Sequence, residues 1–472
     1  MAMTTPLKFD ETRYQSAQVT IDGQVLRYRA FLGLDYVTMP VDAIQQLNVF
    51  VPEPYFTGGR VNGYTRVTAP IFMPNTVGGY LPGPRDFPGN QESFSRGATI
   101  LQALVRGYVV VSAGLRGRTS KTAQGEYSGK APAFIVDMKA AIRYVKFNAG
   151  WLPGNPDRII TNGTSAGGAT AALAGASGNA DFFETPLQAL GAAPATDDIF
   201  AVSAYCPIHN LEHADAAYEW QFNDLAEWHQ QRYTVVNNQA HRTSLSGELT
   251  ATEQQLSNEL KSAFIPYLNH LELKDHAGNP LQLQADGAGS FRRFIADYLT
   301  ASAQRALAAG TDVTIFQGVK VNNGRVASLD WSAYLRGITR MKRVPAFDAL
   351  DLSSPETSLF GSRLIAARHF TAFAQKHSAV PAQWADASLV AAINPLTYLT
   401  THQSQIAQHW RIRHGAVDRD TAFAIPVILA TKLQNLGLDV DFALPWGRPH
   451  SGDYDLPELF DWIDNLCRPA TE

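Results

Sequence analysis

Short apolar runs alternate with amphipathic segments over the first half of the chain. Residues 47–51, 107–112 and 199–204 are almost continuously apolar, which is typical of strands buried on both faces of a parallel sheet. Between them, residues 134–148 repeat apolar side chains at the spacing of an amphipathic helix. Strands that alternate with helices predict an α/β sheet covered on both faces.

The pattern changes at about residue 226 and returns at about residue 396. Residues 226–395 are mostly helical in pattern, with uneven polar loops in place of the strand–helix alternation. The sequence therefore predicts one core, residues 1–225 and 396–472, interrupted by an inserted, mainly helical lid. Such an insertion would cover the carboxyl edge of the sheet, where it excludes water and contacts substrate.

The most informative stretch is Gly163-Thr164-Ser165-Ala166-Gly167-Gly168. An apolar strand at 158–161 leads into it, and a helix of small residues follows from about Gly168. This is the setting of a G-x-S-x-G nucleophile elbow, in which a sharp turn lifts the serine hydroxyl clear of the sheet. Because the strand and the helix are both recognisable, we favour a catalytic serine over a glycine-rich packing turn.

The other two members of a Ser-His-Asp triad are sought by chain order. After the serine, the acid is expected after one late strand and the histidine after the next. Residues 408–413 and 439–444 are the candidate strands, and His450 lies beyond both aspartates of the first loop. Asp418 is favoured as the triad acid. Asp420, in the same loop, fits either an N-cap of the following helix or a substrate contact.

A serine hydrolase also needs backbone donors for the oxyanion of the tetrahedral intermediate. The first is expected to be the N–H of Ala166, the residue after the nucleophile. The second is expected from the loop after the candidate strand 69–73, where Gly78 and Gly79 match a glycine-rich loop without its usual histidine. Gly79 is the preferred donor and Gly78 the alternative. An ordinary glycine turn is the competing interpretation.

Composition narrows the class of partner and the compartment. Of 472 residues, 45% are hydrophobic and 17% charged, and a net charge of −4 argues against nucleic acid and anionic membranes. Residues 1–10 have no apolar signal segment, and no stretch has the length of a membrane span, so we expect a cytoplasmic protein. Cys206 and Cys467 are expected to be free thiols.

Some conspicuous residues are more typical of structure than of function. His209 and His213 have the spacing of a helical metal pair, but no third ligand is evident in the sequence, and we expect no metal. Three tryptophans are expected to anchor the core or the lid rather than to form a cofactor box. They are Trp220, Trp228 and Trp410.

Beyond the serine motif, five segments carry a resemblance to a known family. They are M-P-N-T-V-G-G-Y-L-P-G at 73–83, N-G-T-S-A-G-G at 162–168, S-A-Y-C-P-I-H at 203–209, R-I-R-H-G at 411–415 and P-H-S-G-D-Y-D at 449–455. Together they resemble the bacterial tannases (tannin acyl hydrolases) of the Lactobacillus type, over nearly the full chain. The resemblance implies an α/β-hydrolase with a large lid and no cofactor, which hydrolyses galloyl esters and depsides and releases gallic acid.

The resemblance also implies which residues bind the substrate, a small phenolic ester. It assigns the triad acid to Asp418 rather than Asp420. The implied contacts to galloyl hydroxyls are Lys342, Glu356 and Asp420, and the implied flanks of the ring are Ile208 and Pro355. Two carboxylates and an ammonium suit three phenolic hydroxyls, because each hydroxyl can donate and accept. The match is loosest at residues 230–300, which leaves the preferred leaving alcohol open.

Two other functions stay open on the sequence. A feruloyl or general carboxylesterase on the same fold would prefer ring systems with one hydroxyl or none. A catalytically inactive binding protein is disfavoured, because Ser165, Asp418 and His450 are all present. The number of subunits is not indicated by any pattern in the chain.

Overall fold

The structure is a computed structural model that describes residues 7–21, 23–92, 94–236, 239–401 and 403–468. Its strands are β1 Gln15–Ile21, β2 Gln24–Asp35, β3 Gln46–Pro52, β4 Pro70–Pro74, β5 Val109–Ala113, β6 Asn155–Thr164, β7 Ala201–Tyr205, β8 Glu227–Val236, β9 Gln239–Glu248, β10 Val319–Asn322, β11 Arg325–Leu329, β12 His409–Arg413 and β13 Asp439–Ala443. The predicted strands around 47–51, 69–73, 107–112, 158–161, 199–204, 408–413 and 439–444 are confirmed.

Helices cover the sheet and make up most of the regular structure between β7 and β12. They are α1 Gly97–Val105, α2 Ala133–Phe147, α3 Ala166–Ala176, α4 Glu184–Ala189, α5 Leu211–Phe222, α6 Ala251–His270, α7 Ser290–Ala308, α8 Trp331–Ile338, α9 Pro355–Leu359, α10 Ala372–Lys376, α11 Ala387–Ala392, α12 Pro395–Thr401, α13 Ala424–Asn435 and α14 Leu456–Cys467. The helix predicted at 134–148 is confirmed as α2.

Within the described ranges, nine strands form one sheet in the order β1-β2-β3-β5-β4-β6-β7-β12-β13. Neighbouring strands from β1 to β3 and the β3–β5 pair are antiparallel. From β5 to β13 every neighbouring pair is parallel. The carboxyl ends of β4, β6, β7, β12 and β13 therefore meet at one edge of the sheet, where open α/β sheets bind their ligands.

The core lies on both faces of the parallel strands. Strands β4, β5 and β7 are buried at every residue, as their almost continuous apolar sequences predict. The small residues of α3 allow it to lie very close to the sheet, since a Cβ on Gly175 would lie 2.2 Å from Cγ2 of Val202. Trp410 is fully buried and donates from its indole N–H to the Ala407 carbonyl, which confirms its predicted core position.

The segment between β7 and β12 contains two hairpins that the sequence analysis did not predict. They are β8–β9 and β10–β11, both antiparallel. Residues 227–236 and 239–248 are mostly polar and lack an alternating apolar face, so the usual strand pattern is missing. The other regular elements of this segment are the helices α5 to α12, of which α6 to α11 lie within 226–395, where the sequence predicts mainly helix. The lid boundaries at 226 and 395 stay a prediction.

The described residues bear only in part on the predicted location. No helix among them combines the length and the apolar character needed to cross a bilayer. The first six residues, which belong to the N-terminal prediction, lie outside the described part of the chain. The cytoplasmic location stays a prediction. Cys206 and Cys467 are buried free thiols.

Candidate active site

Ser165 occupies a sharp turn between a strand and a helix. β6 ends at Thr164 and α3 begins at Ala166, so the turn is a single residue with φ 62° and ψ −124°. A non-glycine residue in this region costs about 1–3 kcal/mol and persists only where its surroundings hold it. Here the N–H of Ser165 donates to the Tyr205 carbonyl at 2.9 Å, and its carbonyl accepts from the Ala169 N–H at 2.9 Å.

The glycines of the motif are required by close backbone contacts. A Cβ on Gly163 would lie 2.2 Å from the Gly167 carbonyl oxygen. A Cβ on Gly167 would lie 2.6 Å from Oδ1 of Asn75 and 2.7 Å from the Val77 carbonyl oxygen. These distances are shorter than real Cβ contacts, so any larger residue would push the strand, the helix and the neighbouring loop apart. The predicted elbow geometry is present.

His450 and Asp418 form a hydrogen-bonded pair at the same edge. Nδ1 of His450 lies 2.8 Å from Oδ2 of Asp418, which is fully buried. The other carboxylate oxygen of Asp418 accepts from the Asp420 N–H at 2.8 Å. A Cβ on Gly452 would lie 1.9 Å from Oγ1 of Thr164, so the loop that carries His450 lies directly against the residue before Ser165.

The charges of this pair stabilise each other in a buried setting. Burial alone would raise the pKa of Asp418, but His450 and His414 beside it hold that pKa at about 2. Burial alone would lower the pKa of His450, but the Asp418 carboxylate outweighs it and raises that pKa well above its usual value. The Asp418 carboxylate therefore stays ionised and favours an imidazolium at His450, as a triad acid must.

The loop after β4 lies against the elbow and carries the predicted oxyanion donors. The Asn75 side-chain amide donates to the Asn162 carbonyl at 2.9 Å and to the Gly167 carbonyl at 3.0 Å. Gly79 has a φ of 52°, which favours glycine. Ala166 is the first residue of α3, a position whose N–H has no helical acceptor. Within the described residues, neither the Gly79 nor the Ala166 N–H has a hydrogen-bond acceptor.

The three charged residues that the resemblance predicts to bind galloyl hydroxyls interact with one another. Nζ of Lys342 lies 3.0 Å from Oδ1 of Asp420, and both side chains are largely buried, with 14% and 21% of their surface exposed. Glu356, also buried, interacts electrostatically with both. The residue that caps α13 is Phe423. The N-cap interpretation of Asp420 is therefore wrong, because its carboxylate pairs with Lys342 instead.

The two predicted ring contacts differ in exposure. Ile208 is buried just after β7, where its N–H donates to the Ser165 carbonyl at 3.2 Å and its carbonyl accepts from the Tyr80 hydroxyl at 2.7 Å. Pro355 is exposed and begins α9, directly before Glu356. Ile208 thus touches the elbow, while Pro355 stands next to the charged group.

Glu356 makes the stability of the protein depend on pH. Burial raises its pKa from 4.5 to about 7, more than Lys342 lowers it. A raised carboxyl pKa means that folding takes up a proton, so the contribution of this group to stability is lost as pH rises from 4.5 through 7. The shift from 4.5 to about 7 corresponds to about 3 kcal/mol.

We expect Glu356→Gln, which mimics the protonated form, to be more stable at pH 8 relative to the unmodified protein than at pH 5. The free energies of unfolding from urea denaturation at the two pH values measure this. Glu458→Gln, an exposed carboxylate on α14, is the matched control and should show no such trend. Parallel pH dependence of the Glu356→Gln variant and the unmodified protein would contradict the assignment.

The histidines set aside in the sequence analysis lie outside the triad contacts. His209 is buried, and burial lowers its pKa to about 3. His213 stacks on Tyr267 with 3.5 Å between ring centroids. Among the described residues, the group with three possible metal donors within 4.8 Å of one another is Cys206, Asp418 and His450. Asp418 and His450 are already engaged with each other there.

Cys206 is a neighbour of the candidate triad, a position that the sequence analysis did not predict. It follows β7, is fully buried, and its thiol donates to the Ser451 carbonyl at 3.4 Å, next to His450. Its position directly after a buried strand, in the segment S-A-Y-C-P-I-H, was the available signal. A pattern argument treats a lone buried cysteine as packing.

The fold and the site together define a class of protein. The sheet is mainly parallel, and its carboxyl edge gathers Ser165 after β6, Asp418 after β12 and His450 after β13. That order of serine, acid and histidine on such a sheet is the arrangement of the α/β-hydrolases. The chain has the α/β-hydrolase fold, as predicted.

Comparisons with known proteins specify the family. A model of the family described as BD-FAE matches residues 87–258. Tannase from Lactobacillus plantarum is 60% identical, with a TM-score of 0.96 over 98% of this chain and 100% of that one. A tannin acyl hydrolase in complex with ethyl gallate is 60% identical, with a TM-score of 0.94 over 98% and 99%.

A more distant relative extends the comparison. Fusobacterium nucleatum tannase is 44% identical, with a TM-score of 0.92 over 98% of this chain and 99% of that one. Among curated protein sequences, none matches the chain. Identity of 60% over nearly the whole length shows that the chain belongs to the tannase family, which confirms the resemblance found in the sequence.

Proposed function

We propose that the chain hydrolyses galloyl esters and depsides and releases gallic acid, with Ser165 as nucleophile, His450 as base and Asp418 as acid. The proposal rests on a site that combines the Ser165 turn, the Asp418–His450 pair and the Lys342–Asp420 pair. The chain that carries this site is 60% identical to a tannin acyl hydrolase whose structure is in complex with ethyl gallate. A small phenolic ester is thus the proposed partner, and the chemistry requires no cofactor.

The proposed reaction begins with attack on the ester carbonyl. His450 takes the proton of the Ser165 hydroxyl as its oxygen bonds to the carbonyl carbon, and Asp418 stabilises the imidazolium. The negative charge that develops on the carbonyl oxygen is accepted by the N–H groups of Ala166 and Gly79. Each such donor is worth about 3–4 kcal/mol of transition-state stabilisation.

The tetrahedral intermediate then collapses to an acyl-enzyme. His450 returns its proton to the leaving alcohol, and the galloyl group stays bonded to Ser165. In the second half, water attacks the acyl carbon while His450 takes a proton from it. The bond between the acyl carbon and Ser165 then breaks, His450 returns the proton to the serine oxygen, and gallic acid leaves. The hydrogen bond between the Asp418 carboxylate and Nδ1 of His450 keeps the negative charge beside the imidazole in both halves.

The proposed galloyl pocket uses the charged group beside the triad. Lys342 donates to one phenolic hydroxyl, while Asp420 and Glu356 accept from others. Ile208 and Pro355 flank the ring. Because these polar groups are buried, a ring without hydroxyls displaces water from them without offering hydrogen-bond partners in return, and discrimination of about 10⁴-fold is within the range of such sites.

The inserted lid, residues 226–395, is proposed to deliver part of this pocket. Lys342 and Glu356 both belong to the segment between β7 and β12, whereas Asp420 belongs to the core. The Lys342–Asp420 ion pair therefore joins the two parts of the chain at the site. A feruloyl or general carboxylesterase is the alternative function, and it would keep the triad without this pocket.

Turnover of two aromatic esters tests the proposed function. Purified protein is assayed for acid release from methyl gallate and from methyl ferulate, with the Ser165→Ala variant as the blank. Turnover of methyl gallate with little turnover of methyl ferulate supports the proposal. Preference for methyl ferulate would establish the alternative and would discard Lys342, Glu356 and Asp420 as galloyl contacts.

Lys342→Met is expected to lower kcat/KM for methyl gallate about 10- to 100-fold more than for methyl benzoate. The substitution removes an ammonium that donates to a phenolic hydroxyl and leaves Asp420 without its ion-pair partner. Methyl gallate loses this hydrogen bond, whereas methyl benzoate has no ring hydroxyl and loses none, so kcat/KM falls further for methyl gallate. Steady-state kinetics on both esters measure the difference. Lys376→Met, which breaks an exposed pair with Glu259, is the matched control. Equal losses for both esters would place Lys342 outside the galloyl pocket.

A further inference from the structure

Asp453 joins the loop of His450 to the strand and helix around it. Its carboxylate accepts from the Asn162 amide at 3.1 Å, the Thr99 hydroxyl at 2.8 Å and the Arg96 guanidinium at 3.2 Å. The side chain of Asp453 is 10% exposed and that of Arg96 13%, so the ion pair is nearly buried. These partners come from β6 and the start of α1, so the carboxylate connects three separate segments.

Further hydrogen bonds link Arg96 to the loop after β4, residues 75–79, which carries the proposed oxyanion donor Gly79 and is called the oxyanion loop. Nε of Arg96 donates to the Asn75 carbonyl at 3.3 Å. The Asn75 side chain in turn donates to the Gly167 carbonyl and accepts from the Val77 N–H at 3.2 Å. Arg96 thus connects Asp453, three residues after His450, to the loop that leads to Gly79.

The backbone conformation of the His450 loop depends on how Gly452 and Asp453 pack against β6. Asp453 has a φ of 54°, in the left-handed region, and Gly452 lies so close to Thr164 that a Cβ would be 1.9 Å from its hydroxyl oxygen. Gly452 therefore fixes the loop against the residue before Ser165, and Asp453 fixes it against Asn162, three residues before Ser165. The distance between the proposed base and the proposed nucleophile depends on both contacts.

We propose that Asp453 is a positioning residue. It holds the His450 imidazole at the distance from Ser165 that proton transfer needs, and it couples the His450 loop to the oxyanion loop through Arg96 and Asn75. This inference rests on the proposed role of Ser165 but not on the galloyl substrate. The loss of Asp453 is expected to slow the chemical step, because misplacement of a reacting group by about 1 Å can cost about 100-fold in rate. The described hydrogen-bond partners of Asp453 are Arg96, Thr99 and Asn162, none of them a proposed galloyl contact, so we expect substrate binding to change little.

Asp453→Asn is the direct test. Asparagine tolerates the left-handed backbone as aspartate does, so the substitution isolates the loss of the carboxylate. We expect kcat for methyl gallate and for p-nitrophenyl acetate to fall about 30- to 100-fold, with KM for methyl gallate within about 3-fold of the unmodified value. The rate of inactivation by phenylmethylsulfonyl fluoride, which reports the reactivity of Ser165 directly, should fall in parallel.

Two further variants separate positioning from folding. Thr99→Val removes one hydroxyl donor without changing charge, and we expect a fall in kcat of about 3- to 10-fold. Asp461→Asn is the matched control, because Asp461 also pairs with an arginine of the α1 region, Arg106, but is exposed and away from the loop. All assays are run well below the Tm of each variant.

Each outcome decides the inference. A folded Asp453→Asn variant with kcat and inactivation rate within 2-fold of the Asp461→Asn control would overturn it, even if Tm falls. Turnover of p-nitrophenyl acetate but not methyl gallate by the unmodified protein would refute the proposed galloyl function alone, and the acetate rates would then decide the role of Asp453. Turnover of neither ester would overturn both.

Discussion

Replacing Ser165 by alanine is expected to lower kcat for methyl gallate about 10⁶-fold, to the level of a site without a nucleophile. Alanine keeps the Cβ and the backbone of the elbow, so the turn between β6 and α3 is retained. Release of gallic acid, quantified by chromatography at high protein concentration, measures the residual rate. The effect is the largest expected because no other described hydroxyl occupies such a turn beside the Asp418–His450 pair.

The control for this loss is Ser262→Ala, which removes an exposed hydroxyl that donates to the Asn258 carbonyl on α6. It should leave kcat unchanged. Binding of gallic acid to the Ser165→Ala variant, measured by calorimetry, should persist, since the pocket residues are untouched. Substantial turnover by folded Ser165→Ala protein would show that the nucleophile lies elsewhere.

Asp418→Asn is expected to lower kcat about 10⁴-fold while the fold is retained. An amide cannot stabilise the imidazolium, and it favours the wrong tautomer of His450. A second effect follows from the charge. The Asp418 carboxylate raises the pKa of His450, so its removal lowers that pKa and moves the acidic limb of the pH–activity profile to lower pH.

The pH shift distinguishes a triad acid from a structural carboxylate. Profiles of kcat/KM for methyl gallate from pH 4 to pH 9 measure both the loss and the shift. Asp439→Asn is a close control, because Asp439 also binds Nδ1 of a histidine, His409, at 2.7 Å, yet lies at the opposite end of its strand from the site. An unshifted profile in Asp418→Asn would contradict the pairing that the structure shows.

The parts of the site that could be predicted are those governed by local or sequential rules. The elbow at Ser165 needs glycines at fixed offsets, and the structure shows the contacts that require them. The order of strands predicts His450 by elimination and leaves Asp418 favoured over Asp420, a choice that the family resemblance also implies; the structure pairs Asp418 with His450 at 2.8 Å. The catalytic roles of these residues stay predictions, although the fold class and the family are confirmed.

Other parts depend on contacts that no local pattern records. Asp453 meets Arg96, Thr99 and Asn162 from 357, 354 and 291 residues away in sequence. Only the family resemblance predicts Lys342 as a substrate contact, because a lysine in a loop is otherwise expected to be a solvated surface charge. Its burial against Asp420 becomes visible only when the inserted segment and the core are placed together.

The hairpins β8–β9 and β10–β11 show a different limit. The strands of β8–β9 are mostly polar, so the alternation that marks a half-buried strand is absent there. In contrast, V-K-V-N-N-G-R-V at 319–326 alternates around an Asn-Gly turn, which was an available hairpin signal for β10–β11. The Asp420 N-cap interpretation failed for a different reason. Aspartate is a favourable N-cap, but α13 begins four residues later, at Ala424, and the Asp420 carboxylate pairs with Lys342 instead.

The left-handed backbone at Ser165 has a consequence for engineering this protein. Glycine adopts a φ of 62° without the strain that a Cβ imposes, so the most stable residue at this position is not the one that the proposed chemistry needs. A library screened for heat resistance alone would be drawn to glycine at position 165 and would enrich inactive clones. Screens of this chain for thermal tolerance therefore need an activity filter at every round.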